Sequence, residues 1–579
     1  MDTAPHRRPV RRLLAAFVAV AALAAASLVA VAIAASPSAQ AADESITVNF
    51  ANAGGSPTYR ASGWIYGMTE NASGPADNFY RDVKFRYMRA GGAQLDSPGG
   101  WVSGKYDRRW NATRAQLLRT RSLGGEFILL PHDLWGADGY PISRFPGDNG
   151  NWADYDAFLT RVINDVRASG APVQWDIWNE PNLSLFWNRP QSQYFELWRR
   201  SYQRIRAAFP NHLIVGPSMA GVPSTGGWWV QYLDFVRANN VVPDIFSWHA
   251  LPSDPVANVA TASSTLDARG IPHPRPYQIN EYGASNEQNP GDGSWYIARL
   301  ERAGADGLRA NWASGGNLHN DLGNLLVHNA AGQHQPKGEW WVYRFYGSQT
   351  GTIASVTPSP AYDAFATKTA GNAKILVGGG GTTGNIAVNL QRLDTTSGIV
   401  QNNRVRVVAE RIPYNGGTAV QGPVTIQDTV ITLSGNATTV NLPHTNANDA
   451  FTITLLPPGD TTPPTTPPTT APPTTPPTST PPPAGCSASV SLNSWTGGFV
   501  ATVRVTAGST PLNGWRVTVT LPGGTSVTNT WGATASAASG TVQFTNATWN
   551  GSVAAGQSTE FGFQGSGTGT GLTPTCTAT

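Results

Sequence analysis

Two acidic residues in this sequence end apolar runs, and their type and setting point to one kind of chemistry. Glu180 stands in Trp175-Asp176-Ile177-Trp178-Asn179-Glu180-Pro181-Asn182-Leu183, and Glu281 in Gln278-Ile279-Asn280-Glu281-Tyr282-Gly283. Cleaving a glycosidic bond takes such a pair. One carboxylic acid protonates the leaving oxygen while a second carboxylate attacks or supports the oxocarbenium-like carbon from the opposite face. Alone, an Asn-Glu-Pro string says little, because Glu-Pro commonly ends a strand. A second acidic strand end that can face it is what gives it weight.

The elements that must position the pair are legible as short apolar runs alternating with longer amphipathic ones. Candidate strands cover 63–68, 85–90, 126–132, 173–179, 212–217, 244–249, 277–282 and 307–312. Between them lie helical patterns such as 192–208, where Tyr194, Leu197, Trp198, Tyr202 and Ile205 share one face. Eight strands, each followed by a helix, predict a (β/α)8 TIM barrel over 42–350. Such barrels place chemistry at the C-terminal ends of strands, and strands four and seven, which carry Glu180 and Glu281, lie across the mouth from one another. From about Thr350 the helical period gives way to strand-like runs separated by Gly, Asn and Thr turns. An adjoining β-sandwich over 351–458 is expected, completed by residues 45–50.

The string WNEPNL followed by FW, with INEYG placing Glu281 101 residues beyond Glu180, resembles the retaining glycoside hydrolases of clan A, most of all family 39. The resemblance covers the whole large module. It implies that Glu180 is the acid/base and Glu281 the nucleophile, and that Asn179 contacts the sugar 2-hydroxyl. It also implies that His249, in Ser247-Trp248-His249, lies near the nucleophile, that Arg89 hydrogen-bonds to it, and that Trp312 forms an aromatic floor under the sugar. One departure stands out: Phe-His-Gly is expected after the strand-two arginine, and this chain has Arg89-Ala90-Gly91-Gly92. His132, ending strand three, is the candidate to replace the missing sugar-contacting histidine.

Residue by residue, plainer roles compete with these: a surface pair between Arg89 and Asp96, a structural His249, a core Trp312. Asp176 is expected as the buried partner of a barrel-interior Arg or His. Glu281 beside Arg89 should have a lowered pKa, and Glu180 beside an apolar Trp and Pro a raised one. A retaining pair should stand about 5 to 5.5 Å apart.

Only 13% of the 579 residues are charged, against ~25% in an ordinary domain, while Gly (62), Pro (44) and Trp (20) abound. Such a surface suits a neutral partner, and the resemblance implies that the partner is a polysaccharide. Residues 1–41 read as a signal peptide: Arg7, Arg8, Arg11 and Arg12, an apolar run over 13–35, then Ala39-Gln40-Ala41. Removing its four Arg and one Asp leaves basic and acidic residues balanced, with no positive excess for nucleic acid. A secreted, extracellular monomer is expected, free of the membrane once the signal is cleaved. His, Asp and Glu show no metal-ligand spacing, so neither a metal nor another cofactor is expected.

Residues 459–484 are a Pro/Thr-rich linker; 461–483 hold 11 Pro and 10 Thr, a composition that builds no core and favours an extended spacer. Residues 485–579 contain only Arg504, Arg516 and Glu560 as charges and alternate apolar with polar, an all-β pattern. A bridge between Cys486 and Cys576, at the two ends of this module, would be worth ~4 to 5 kcal/mol on the chain-entropy account. Trp515 reads as core, whereas Trp495, Trp531 and Trp549 lie in polar strings and are expected to be exposed, where a row of rings can stack on pyranose faces. Asn493-Ser494-Trp495-Thr496-Gly497-Gly498-Phe499, Leu512-Asn513-Gly514 and Trp549-Asn550-Gly551-Ser552 resemble carbohydrate-binding module family 2, an immunoglobulin-like β-sandwich. Keeping all three tryptophans is similar to its cellulose-binding subgroup. The whole implies a retaining glycoside hydrolase acting on a plant cell-wall β-glycan, xylan-type, related hemicellulose or cellulose, and tethered to cellulose. The rivals are a non-catalytic cellulose-binding wall protein with a lectin-like barrel, and an exo-glycosidase on side-chain sugars.

Overall fold

A computed structural model of the chain describes residues 43–138, 141–273, 275–311, 318–460, 485–495, 497–548, 550–569 and 571–579. The expected signal peptide 1–41, most of the linker, Trp312 and Trp549 lie outside the described residues, as does the side chain of Trp495. The chain divides into two compact units whose boundary falls within the Pro/Thr stretch.

In the first unit eight parallel strands close into a barrel: Gly63–Ile65, Tyr87–Ala90, Glu126–Leu129, Gln174–Asp176, Ile214–Met219, Ile245–Ala250, Tyr277–Tyr282 and Asp306–Arg309. The last pairs with the first at Gly63 to Leu308 and Trp64 to Arg309. The expected strands one, three and four run past the point where the ladder stops. Their final apolar residues, among them Tyr66, Leu130, Ile177 and Trp178, are buried in the loops at the barrel mouth and not in the sheet. Apolar character reports burial, and here burial extends beyond pairing.

The longer crossover helices bury an apolar stripe. On Gln191–Ala208 the residues Tyr194, Leu197, Trp198 and Ile205 are fully buried, while Tyr202 is half-buried and Ser201 takes the inward place. Asn289 caps Pro290–Ala303 by accepting the Asp292 N–H, and Gly304, at φ 68°, ends it in a conformation that a side chain would strain.

The N-terminal strand Glu44–Ala53 joins eight later strands in a nine-stranded sheet, antiparallel to Thr352–Thr357 and parallel to Gly384–Gln391. Ile46, Val48, Ile375, Val388, Val407 and Ile453 close on one core. Arg299 and Arg302, on the helix after the seventh barrel strand, both pair with buried Asp363, at 2.8 and 2.7 Å, and so fix sheet to barrel.

The second unit is built from two four-stranded sheets. One holds Cys486–Trp495, Gly498–Ala507, Ser558–Ser566 and Ser526–Trp531; the other Ala533–Ala535, Thr541–Asn546, Trp515–Thr520 and Thr575–Ala578. Phe499, Val503, Trp515, Val517, Phe544, Phe561 and Phe563 pack into their shared core. A disulfide joins Cys486 to Cys576, the first strand to the last. No helix among the described residues is long and apolar enough to cross a membrane.

Candidate active site

Arg89, near the end of the second barrel strand and 2% exposed, is the hub of the barrel mouth. Its Nε donates to Asp176 Oδ2 (2.7 Å), its Nη2 to Asn179 Oδ1 (2.8 Å) and its Nη1 to Glu281 Oε1 (3.0 Å). Asp176 is wholly buried, and it also accepts from Ser218 Oγ (2.8 Å) and Asn280 Nδ2 (2.9 Å). A buried charge is tolerable only when its partners are complete, and stripping one from such a pair costs roughly 3 to 5 kcal/mol. Asp96 plays no part in this; it pairs with Arg108 at 3.3 Å.

Glu180 lies four residues past the last paired residue of its strand, at φ 43°, a left-handed backbone that is costly for any residue but glycine. Two anchors on the fifth strand's end hold it there. Its own N–H donates to Ser218 O (2.9 Å), and Asn182 both donates to Ala220 O and accepts the Ala220 N–H, each at 2.8 Å. Glu281 sits where the seventh strand slips register against the sixth and the eighth. Irregularities of this kind re-aim a side chain. His249 stands between the two carboxylates, with Nδ1 2.7 Å from Glu180 Oε1 and 3.6 Å from Glu281 Oε2. Each carboxylate offers an oxygen within 4.8 Å of the other. An approach this close is compatible with a retaining pair, whose carboxyl groups stand about 5 to 5.5 Å apart.

Protonation in the free pocket runs against what the sequence leads one to expect. Burial pushes Glu281 above the usual carboxylate range; His249 and Arg89 pull it down without prevailing, and the charge of Glu180 adds to the rise. Burial raises Glu180 too, but the hydrogen bond and charge of His249, with Arg89 behind, hold it below that range. Arg89 fails to keep Glu281 low because Glu281 is enclosed and Asp176 has the shorter contact with Arg89. Nothing in the string around Glu180 shows that an imidazole from strand six will reach it.

His132 is not at a strand end. The third strand stops at Leu129, and His132 lies in the short helix Pro131–Trp135, 1% exposed, with Nδ1 2.8 Å from Asp133 Oδ1. Its ring meets Trp178 and Phe186 edge-on at 4.8 and 5.5 Å, and its Nε2 is buried without a hydrogen-bond partner. Asp133 accepts in turn from Tyr66 Oη. Arg89, Asn179, Glu180, His249 and Glu281 therefore share one network, with His132 against the Trp178 wall. Ser218, Asn280 and Asn182 belong to the same assembly and carry no sequence signal of their own. They enter through strand pairing.

In the second unit Trp515 is fully buried, donates from Nε1 to Asn550 O (2.8 Å) and stacks on Phe561 with ring centroids 5.1 Å apart. Trp531 is 45% exposed. Its cross-strand partner is Gly562, where a Cβ would come within 2.3 Å of the indole, so glycine is what lets the ring lie on the sheet. Trp495 ends the first strand of that sheet, paired to Gly498.

Two family models match the chain: glycosyl hydrolases family 39 over residues 169–268, and the cellulose binding domain over residues 486–579. Both resemblances expected from the sequence are thereby borne out. Endoglucanase A of Thermobispora bispora is 45% identical over 92 residues, 15% of this chain and 20% of that protein. A beta-xylosidase of Geobacillus stearothermophilus is 26% identical over 194 residues, 28% of this chain and 37% of that one. The chain spans a fifth or less of the length of the first curated relatives it matches. Among solved structures, N2152 from Neocallimastix frontalis is similar at a TM-score of 0.59 and 25% identity, covering 72% of this chain and 99% of that one. The GH39 enzyme from Xanthomonas axonopodis pv. citri shares the fold at a TM-score of 0.51 and 17% identity, over 72% of this chain and 98% of that one.

Proposed function

We propose that this chain is a secreted, retaining glycoside hydrolase that cleaves O-glycosidic bonds in a plant cell-wall β-glycan, xylan-type or a related hemicellulose, while residues 485–579 hold it on cellulose. The observation that carries this reading is the convergence of Glu180 and Glu281 on His249 at the barrel mouth, each carboxylate with an oxygen within 4.8 Å of the other.

In the first step Glu281 adds to the anomeric carbon as Glu180 gives its proton to the departing oxygen, which leaves a glycosyl ester on Glu281 and a carboxylate at Glu180. Glu180 then takes a proton from water, whose oxygen displaces Glu281, and the original configuration returns. These roles require the substrate to invert the protonation order of the free pocket. A leaving oxygen beside Glu180 competes for the hydrogen bond from His249, the contact that keeps Glu180 low, while positive charge growing on the anomeric carbon favours an ionised Glu281. The exposed ring of Trp531 supports the tether, which raises local substrate concentration and leaves the chemical step unchanged.

Product stereochemistry tests the roles. With azide and an aryl β-glycoside, Glu281→Ala should yield the α-glycosyl azide, because azide enters from the face the carboxylate vacated. Glu180→Ala should yield the β-anomer. Full activity of Glu281→Ala on every β-glycan of a panel of xylan, mannan, β-glucan and arabinogalactan would dispose of the hydrolase reading, and exchanged azide products would dispose of the role assignment.

A further inference from the structure

A second trio of ligand-type side chains converges outside the barrel-mouth network. Asp321 lies in the loop after the eighth barrel strand; His328 and His334, seven and thirteen residues further on, face each other across the hairpin Leu326–His328 and His334–Pro336. In sequence Asp321 looks isolated. The turn at Asp321, Leu322, Gly323 and Asn324, with φ of 64°, 46°, 60° and 67°, folds it back against the hairpin, and its backbone carbonyl accepts the Leu326 N–H at 3.0 Å. Four consecutive left-handed residues, three of them not glycine, are held in place at a cost.

The atoms are arranged as ligands are, and not as hydrogen-bond partners. Asp321 Oδ1 is 3.2 Å from His328 Nδ1 and 3.5 Å from His334 Nε2, and the three atoms all lie within 4.8 Å of one another. Yet Asp321 Oδ1 and His334 Nε2 are buried and neither has a hydrogen-bond partner. Asp321 is only 5% exposed, so this oxygen has given up water without obtaining a donor, which is costly unless something else fills the role. Around a tetrahedral ion with bonds of ~2.0 to 2.2 Å, ligand atoms stand roughly 3.3 to 3.6 Å apart, and the two Asp321 spacings agree with that edge. The nearby ammonium of Lys337 is directed to Asn324 Oδ1, at 2.6 Å.

We propose that Asp321 Oδ1, His328 Nδ1 and His334 Nε2 form a binding site for a divalent transition metal, best suited to Zn2+, with the fourth position open to water on the side of half-exposed His328. Two imidazoles and one carboxylate make a borderline donor set that favours Zn2+ over the all-oxygen preference of Ca2+ and Mg2+. The ion would staple the hairpin to the turn at Asp321. No step of the proposed hydrolysis runs through it.

The test uses the full chain, without an affinity tag, stripped with a chelator and titrated with Zn2+ by calorimetry and with Co2+ by visible absorption. One equivalent should bind in the micromolar range or tighter, with the intense d–d bands of a four-coordinate Co2+ site and a raised thermal midpoint. His328→Ala and His334→Ala should each weaken binding about 100-fold or more, whereas Glu180→Gln should leave it unchanged. His328 is half-exposed, so its variant is the one expected to fold normally if His334→Ala does not. The proposal fails if neither ion binds, or if binding survives His328→Ala. It fails equally if binding is lost in Glu180→Gln, which would assign the ion to the trio of Glu180, His249 and Glu281 at the mouth.

Discussion

The barrel mouth and the outer face of the C-terminal sheet both meet sugars in this reading, yet they are built by opposite means. At the mouth, buried charges are held by other buried charges: Arg89 spans Asp176 and Glu281, and His249 spans Glu180 and Glu281. On the sheet, an uncharged ring is left in water above a glycine. Bond cleavage needs proton and charge transfer at a fixed point, so each group must have an exact set of neighbours supplied by other strands. Adhesion to a neutral polymer needs only flat apolar area, which one strand and a small cross-strand neighbour provide. The mouth should therefore be intolerant of single changes, and the sheet face should lose function by degrees.

Removing the proposed nucleophile breaks the comparison most sharply. Glu281→Ala should lower kcat by about four orders of magnitude or more while retention on cellulose stays the same, measured by steady-state kinetics beside a pull-down. Equal loss of both would mean that the two functions are not separable. Arg89→Met comes next. It should cost about 10² to 10³ in kcat/KM and roughly 3 to 5 kcal/mol of stability from the stranded Asp176, read by denaturant unfolding.

Arg89→Met also carries a pH prediction. The proposed reaction needs Glu281 ionised and Glu180 protonated, the reverse of their order in the free pocket, so kcat/KM should fall on the acid side at the lowered value of Glu180 and on the alkaline side at the raised value of Glu281, above the ordinary 4.5 of a glutamate. Removing Arg89 takes away a lowering charge and should move that alkaline limb higher still; a downward move would show that Arg89 does not hold Glu281 down. For stability, a carboxyl group raised by folding favours the fold while protonated, and loses that contribution as pH rises through the raised value. The lowered Glu180 contributes above its ordinary pKa and loses its share as pH falls.

On the other side of the comparison, replacing both Cys486 and Cys576 by Ser should destabilise the second unit by about 2 to 5 kcal/mol. Calorimetry should show an earlier transition for that unit and an unmoved one for the barrel. The smallest effect is Trp531→Ala, expected to weaken cellulose binding about tenfold, the equivalent of one lost stacking contact, with activity on a soluble substrate unchanged. A complete loss of binding would mean that Trp531 is a keystone of the sheet and not one platform among several.

How far each region was legible in sequence follows from the same difference. The eight strands could be read because alternating apolar runs report burial, although they overran wherever residues such as Ile177 and Trp178 are buried beyond the ladder. The carboxylate pair could be read because both ends carry acidic residues in recognisable strings. Asp176 could be anticipated as a buried partner, but which cation it would meet could not. Ser218 and Asn280 were invisible, since what makes them part of the site is the strand that lies beside them.

Sequence by itself determined what depends on local pattern: the alternation that closes a barrel, the Pro/Thr break that separates two units, the cysteines at the ends of the second, and tryptophans in polar strings. Tertiary structure decided everything that depends on long-range electrostatics. It set which carboxylate His249 would touch, and hence the direction in which Glu180 and Glu281 are shifted. It also brought Asp321 to His328 and His334. The physical reason is that charge interactions in a low-dielectric interior depend on distance and desolvation, and residues far apart in the chain fix both only after the backbone has closed.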